Sequence, residues 1–293
     1  KLKNKQNKQN NHDHDDGDDE RDEWFEFDAS QDLYDVLNVH RHLYLRSFFK
    51  HIVEFHNIVE LMGKSVSWEN TAHVDKLRIL WQKLVSHTED YKKEPLSFEE
   101  MVKIKKGAHP YWKEIGFQGQ DPLTDFRGMG EFALNCLVYF ANHYQSHCAV
   151  IFSKSRPAEN YYPLCASFIN IVNLVCELTN ARKVEQMDIT QQTALFKLFV
   201  CEPVDEHPFE ELFCLVCRVF DNVWRATKSF YWDFPKLYNA FRERIEFMLT
   251  KEPKSLRTLM RWLEVDSYIF EYKDADFNQM DEYNLDLVLL NGK

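Results

Sequence analysis

Apolar residues recur at intervals of three and four along most of this chain, and this spacing restricts it to a helical architecture. The segment 208–224 is typical, because Pro208 suits a first helical position and the apolar residues that follow share one face. The same spacing marks the segments 31–62, 77–84, 164–178 and 234–248. Gly63 suits the C-terminal end of the first segment, and Ser97 and Ser255 are predicted to cap the starts of short helices. No segment alternates between apolar and polar residues as the strands of a hairpin do. We therefore predict an all-α fold, with a single helical domain and additional helices on its N-terminal side.

Charge separates the two ends of the chain from its middle. The net charge is −11, but residues 1–28 hold 5 basic and 10 acidic side chains, and residues 264–286 hold 1 and 8. Residues 29–263 are neutral, with 29 side chains of each sign. A neutral body lacks the basic stripe of a protein that binds nucleic acid, so we expect no nucleic-acid partner.

Composition also divides the chain into segments. Residues 1–22 are rich in Lys, Asn, Asp and His, and such a segment buries too little apolar surface to fold, so we predict a disordered polar and acidic tail. We assign residues 23–72 to an N-terminal helical segment and residues 73–263 to the main domain. Residues 264–293 form an acidic C-terminal tail with a weak pattern.

The cysteines predict free thiols rather than a disulfide framework. Their number is odd and their spacing irregular: Cys136, Cys148, Cys165, Cys176, Cys201, Cys214 and Cys217. Cys214 and Cys217 have metal-like spacing, but no second pair follows, so we interpret them as core thiols and predict no metal site. We expect no secretory signal, and no apolar run is long enough to span a bilayer. These features predict a cytoplasmic protein without a transmembrane segment, with peripheral attachment to organelle membranes left open.

The stretch from Trp112 to Phe140 is unlike the rest of the chain. It contains half of the eight glycines: Gly116, Gly119, Gly128 and Gly130. Glycine permits positive φ and close backbone approach, and Asp121-Pro122 is a turn signal, so the first part predicts a shaped loop. After Gly130 the apolar residues return to helical spacing, which predicts that the loop leads into a buried helix.

One arginine, Arg127, lies at the junction of that loop and helix. Thr124 or Asp125 is predicted to cap the helix, which would place Arg127 in its first turn. A guanidinium is always charged, planar and forked, so it matches phosphate oxygens and can act as an arginine finger on a partner's nucleotide. The alternative is that Arg127 pairs with Asp125 or Asp121 and locks the loop.

The sequence contains no pattern typical of a nucleotide-binding site. Neither a phosphate-binding G-x-x-x-x-G-K-[ST] loop nor a G-x-G-x-x-G after a strand is present, and the patterns of α/β-hydrolases and zinc proteases are absent. We therefore predict no cofactor.

The central stretch resembles the signature of the ELMO domain. The matching residues are Trp112, Gly116, Phe117, Gln118, Pro122, Thr124, Asp125, Phe126, Arg127, Gly128 and Gly130. In the single-domain branch of that family, the resemblance implies a GTPase-activating protein for Arf and Arf-like small GTPases. Arg127 would be its catalytic finger, the other signature residues would shape the loop, and GTP and Mg²⁺ would belong to the partner.

The family also has a longer branch, in which the domain sits in a scaffold that joins an exchange factor of the DOCK type and the arginine pattern is degraded. Arg127 in an intact motif favours the single-domain branch. A non-catalytic scaffold or adaptor that binds regulators of small GTPases remains the alternative. The Asp/His-rich N-terminal tail and the acidic C-terminal tail depart from the family pattern.

Overall fold

The computed structural model describes residues 53–151, 161–182 and 207–251, together with 253, 255, 258, 259 and 261–263. It contains the α-helices α1 (described from 53 to its end at 63), α2 (Thr71–Lys83), α3 (Glu89–Lys93), α4 (Phe98–Lys105), α5 (Tyr111–Glu114), α6 (Gly130–His143), α7 (Gln145–Ile151), α8 (Leu164–Leu178), α9 (Pro208–Ala226) and α10 (Phe234–Thr250). Residues 258, 259 and 261–263 are also helical. Among the described residues, 3-10 helices span Val85–His87, Pro122–Gly128 and Tyr231–Asp233. These residues include no strand, so the all-α prediction is confirmed.

Several predictions concern residues outside this description. They are the disordered tail at 1–22, most of the helical segment at 23–72, Cys201 and the acidic tail at 264–293.

Helices α6, α8 and α9 form the centre of the domain. α6 contacts both α8 and α9, α2 packs along α6, and α10 packs on α8. Large, fully buried side chains fill these contacts: Phe132, Phe140, Phe168, Phe213 and Phe220. Burial of each such ring stabilises the fold by about 1.5–3 kcal/mol. Helix α8 is buried on nearly all sides, because a helix that is apolar all round must be surrounded by others.

Local signals fix several helix ends where the sequence predicts them. Ser97 forms a capping box with Glu100 at the start of α4, and Pro208 is the first residue of α9. α1 ends at Gly63, and the Ser255 hydroxyl accepts a hydrogen bond from the Thr258 N–H (3.1 Å). Each of these ends depends on neighbours in sequence, which is why the sequence alone identifies them.

We predict that Phe168→Ala destabilises the domain by about 3–5 kcal/mol, because Phe168 is fully buried and its ring lies 5.0 Å from Phe140. Urea unfolding measures the loss. Ile104→Ala is the control, since Ile104 on α4 is 64% exposed and its truncation is expected to cost less than about 0.5 kcal/mol. Equal effects of the two substitutions would contradict the assignment of the core.

Candidate functional site

The signature residues 116–130, which we call the arginine loop, are anchored by a row of aromatic rings. Trp112 is fully buried, and its indole N–H donates to the Gly107 carbonyl (2.9 Å). The centroid of its ring lies 5.1 Å from that of Trp81 and 5.7 Å from that of Phe117. The centroids of the Phe117 and Phe126 rings are also 5.7 Å apart. Phe126 immediately precedes Arg127 and is buried, so the row connects the arginine directly to the core.

The arginine loop contains a 3-10 helix that begins at the predicted turn. Pro122 is its first residue and is buried, and the Asp121 carboxylate caps it by accepting from the Leu123 N–H (3.1 Å). The Trp68 indole N–H also donates to Asp121 (3.3 Å). The Asp121 carboxylate therefore already has two hydrogen-bond donors within the domain.

The prediction that Thr124 or Asp125 caps the following helix is wrong. The Thr124 hydroxyl donates to the Asp121 carbonyl (2.9 Å), and the Asp125 carboxylate accepts from the Gln118 N–H (2.7 Å). The reason is that the chain makes the 3-10 helix Pro122–Gly128 before α6 starts, so both side chains lie too early to cap α6. Arg127 consequently lies in the last turn of the 3-10 helix.

The N-terminus of α6 is capped by the backbone of α1 instead. The Glu131 N–H donates to the Lys64 carbonyl (2.8 Å), just beyond the end of α1. Gly130 has φ of +52°, and a Cβ there would lie 2.5 Å from the Lys64 oxygen and 2.7 Å from the Leu61 oxygen. Only glycine allows the start of α6 to approach these carbonyls so closely.

A second glycine makes the same kind of contact with α8. Gly116 has φ of +91°, and a Cβ there would lie 2.0 Å from the Leu164 nitrogen. The Ile115 and Gly116 carbonyls accept from the Cys165 N–H (3.2 Å) and the Ala166 N–H (3.0 Å). The arginine loop therefore caps α8 with its own backbone.

The other two glycines of the loop have space around them. A Cβ on Gly128 would meet nothing within 4 Å, and one on Gly119 would lie 3.6 Å from the Thr124 hydroxyl, an ordinary contact. Neither position has a positive φ. Gly128 is exposed beside Arg127, so the backbone next to the arginine is open to approach from outside.

Arg127 itself is exposed and held at one point. Its Nε–H donates to the Thr124 carbonyl (2.8 Å). The two terminal nitrogens of its guanidinium make no hydrogen bond or ion pair with any residue that the structure describes. Within the same residues, no ion pair joins Arg127 to Asp121 or Asp125, the two partners that the locking alternative requires. The forked end of the guanidinium is thus available to an outside acceptor.

Asp125 is a partly buried carboxyl group at the centre of the loop. Burial raises its pKa, and the hydrogen bonds from Gln118 and Thr124 and the charge of Arg127 oppose this rise without overcoming it. Ionised Asp125 is therefore less favourable in the folded loop than in the unfolded chain.

Away from the loop, a tyrosine–glutamate cluster joins α6 to α9. Glu211 accepts from the Tyr139 hydroxyl (2.5 Å) and, through its other oxygen, from the Tyr144 hydroxyl. Burial and this carboxylate raise the pKa of both tyrosines far above the ordinary range. Glu211 lies in the first turn of α9, but its partners are distant in sequence, and no sequence pattern reveals them.

The described thiols are core residues. Cys214 and Cys217 are both buried, as predicted, and burial raises the pKa of each thiol well above its usual value. The described part of the chain contains no group of three or more His, Cys, Asp or Glu side chains placed to hold a metal ion. None of the described helices is both long and apolar enough to cross a membrane.

We expect Gly130→Ala to destabilise the domain by about 2 kcal/mol or more. A left-handed alanine costs about 1–2 kcal/mol, and the contact with the α1 carbonyls adds to this. Gly128→Ala is the matched control and should change stability by less than about 0.5 kcal/mol, because a methyl group there meets open space. Thermal and urea unfolding of both variants measure the difference. Equal tolerance at both positions would be inconsistent with the contact at α1.

The pH dependence of stability gives a second prediction. Because the folded-state pKa of Asp125 is raised, its contribution favours the fold at low pH and is lost as the pH rises through that pKa. Asp125→Asn removes this titration. The free energy of unfolding of the variant, minus that of the unsubstituted protein, should therefore increase as the pH rises through the carboxyl range. A difference that is constant or decreases with pH would show that Asp125 does not have a raised pKa.

Comparison with known proteins identifies the family. The sequence model of the ELMO/CED-12 family matches residues 56–238, from α1 to the first turns of α10. ELMO domain-containing protein C of Dictyostelium discoideum is 28% identical over 203 residues, which cover 66% of this chain and 29% of that protein. ELMO domain-containing protein 2 of Mus musculus is 28% identical over 196 residues, covering 67% and 59%. Engulfment and cell motility protein 3 of Mus musculus is 28% identical over 149 residues, covering 50% and 20%.

The chain thus spans less than two thirds of the length of each of these relatives. The family match itself extends over more than half of the chain and includes the whole arginine loop. It agrees with the resemblance that the signature residues carry, and we conclude that this chain belongs to the ELMO/CED-12 family.

Proposed function

We propose that this protein is a GTPase-activating protein for small GTPases of the Arf and Arf-like class, and that it inserts Arg127 in trans beside the partner's GTP. The observation that carries the proposal is the free forked end of an exposed guanidinium in the family signature. Such an activity implies a cytoplasmic protein that acts peripherally at organelle membranes.

The chemistry of phosphoryl transfer explains why one arginine suffices. Negative charge is spread over the equatorial oxygens of the transferring phosphoryl group, and a guanidinium placed there can accelerate hydrolysis by about 10³–10⁵-fold. GTP, Mg²⁺ and the attacking water all belong to the partner GTPase. This chain makes and breaks no bond itself; it supplies charge in a fixed position.

The arginine loop is suited to present such a charge. The Nε–H bond to the Thr124 carbonyl holds the exposed guanidinium and leaves both terminal nitrogens without a hydrogen bond to the residues that the structure describes. Phe126 locks the preceding position into the core. A side chain that is already ordered loses less conformational entropy when it meets a partner.

A non-catalytic role is the second candidate. The similarity to engulfment and cell motility protein 3 over half of this chain supports a module that binds regulators of small GTPases, such as exchange factors of the DOCK class, without accelerating hydrolysis. The two candidates differ in their dependence on Arg127, so a single substitution separates them.

The decisive experiment compares Arg127→Lys with the unsubstituted protein in single-turnover GTP hydrolysis, across a panel of purified Arf and Arf-like GTPases. We expect acceleration of at least one GTPase by the unsubstituted protein and a loss of about 10³-fold or more in the variant. Lysine keeps the charge but lacks the fork that spans two oxygens. Circular dichroism confirms that the variant is folded.

Arg182→Lys is the matched control. Arg182 is also exposed and lies beside the loop, but its guanidinium contacts the Met129 sulfur (3.0 Å) and the Asn173 side-chain oxygen (2.9 Å). The Arg182→Lys variant should accelerate GTP hydrolysis nearly as much as the unsubstituted protein does. If Arg182→Lys rather than Arg127→Lys abolished acceleration, the finger would be misassigned. Binding of a partner without acceleration, indifferent to both substitutions, would support the scaffold instead.

A further inference from the structure

Three consecutive aromatic residues protrude between α9 and α10. Phe230 and Tyr231 are each 52% exposed and Trp232 is 83% exposed. Trp232 is the most exposed large hydrophobic side chain in the described part of the chain. Contiguous exposed apolar surface commonly marks an interaction site, and Trp and Tyr are enriched among residues that dominate binding energy.

The exposure of Trp232 is fixed by the backbone. Tyr231–Asp233 is a 3-10 helix, closed by the Asp233 carboxylate, which accepts from the Phe230 N–H (2.8 Å), and by the Asp233 N–H, which donates to the Phe230 carbonyl (2.8 Å). Phe234 then turns back into the domain, with its ring 5.8 Å from Phe220. The segment therefore holds Trp232 outward between two anchored positions.

A groove of about 250 Å³ lies between this aromatic segment and the arginine loop. Its walls are Gln118 of the loop, Tyr231 and Trp232 of the aromatic segment, and residues at the starts of α8 and α10. None of the described residues that line it is charged. Its volume is below that of pockets for drug-sized molecules, so it suits one side chain of a protein partner better than a small-molecule ligand.

The groove and Arg127 rest on one rigid platform. The Gln118 N–H donates to Asp125 (2.7 Å), two residues before Arg127, and the 3-10 helix that carries Arg127 also contacts α8. Ala166, in the wall of the groove, donates its N–H to the Gly116 carbonyl (3.0 Å). The groove therefore lies beside the loop that carries Arg127, within reach of a protein partner that contacts the arginine.

From this arrangement we infer that the groove is the docking site for the GTPase itself, with Trp232 as the anchor that sets its affinity. The inference rests on the proposed function. A lone arginine cannot hold a partner, because specific interfaces bury about 800 Å² on each side, and a groove beside the arginine loop adds contact that the guanidinium alone cannot make. The uncharged lining fits an apolar segment of the GTPase and does not fit an anionic membrane surface, which requires clustered lysines and arginines.

The test separates affinity from catalysis. GTP hydrolysis is measured while the concentration of the responsive GTPase is varied, with the unsubstituted protein, Trp232→Ala, Arg127→Lys and Ile104→Ala. Trp232→Ala should raise the half-saturating GTPase concentration by about 30-fold or more and leave the saturating rate unchanged. Arg127→Lys should instead abolish the saturating rate. Ile104→Ala, an exposed apolar residue on α4, should change neither quantity.

An unchanged half-saturating concentration in Trp232→Ala overturns the docking site and leaves the arginine finger standing. Sedimentation with vesicles of phosphatidylcholine and phosphatidylserine tests the alternative, that the aromatic segment binds a membrane. If Trp232→Ala loses vesicle binding yet keeps its half-saturating concentration in vesicle-free solution, the segment contacts membrane and the inference is wrong.

Direct binding separates the two proposals when no GTPase is accelerated. Each GTPase is loaded with a non-hydrolysable GTP analogue and its affinity is measured by calorimetry. Binding that Trp232→Ala weakens would support the docking site while the finger fails. No binding to any member of the panel would overturn both.

Discussion

The domain depends on two helix N-termini that have no side-chain caps. Helices α6 and α8 both begin in the interior without a capping side chain, and the free N–H groups of a helix end must find acceptors if they are buried. Backbone carbonyls supply them: Lys64 serves α6, and Ile115 and Gly116 serve α8. Because a carbonyl reaches a helix end only when two backbones come close, Gly116 and Gly130 are fixed as glycine. The shape of the arginine loop follows from meeting these two requirements in a stretch of fifteen residues.

This origin explains why the loop is stiff although it is rich in glycine. Two of its glycines are pinned against neighbouring helices, Trp112 and Phe126 are buried, and Asp121 and Asp125 each accept hydrogen bonds from the loop backbone. Arg127 is thus an exposed side chain on a backbone with little freedom. Pre-organised charge of this kind needs no rearrangement when it meets a developing negative charge, which is the property that a finger supplied in trans requires.

The sequence predicts those features that neighbouring residues control. Helix positions, the caps at Ser97 and Ser255 and the buried thiols at Cys214 and Cys217 all follow from local pattern and agree with the structure. It fails where the partner is distant in the chain. The prediction that Thr124 or Asp125 caps α6 is wrong, because the acceptor is the Lys64 carbonyl. The sequence around Glu211 likewise gives no indication of the two tyrosines that bind it. The motif signals that Gly116 and Gly130 are special, but not which helices they contact.

The bond between Glu131 and Lys64 also bears on the order in which the protein folds. Lys64 and Glu131 are separated in the sequence by α2 to α5, and Gly116 and Ala166, which form another such bond, are separated by α6 and α7. Contacts so far apart in sequence form late, because the intervening chain must first be closed into a loop. We therefore expect the arginine loop to acquire its shape only after α1 and α8 have docked. A chain that has formed α6 alone is expected to lack the loop geometry around Arg127, which depends on the docked neighbours of the loop.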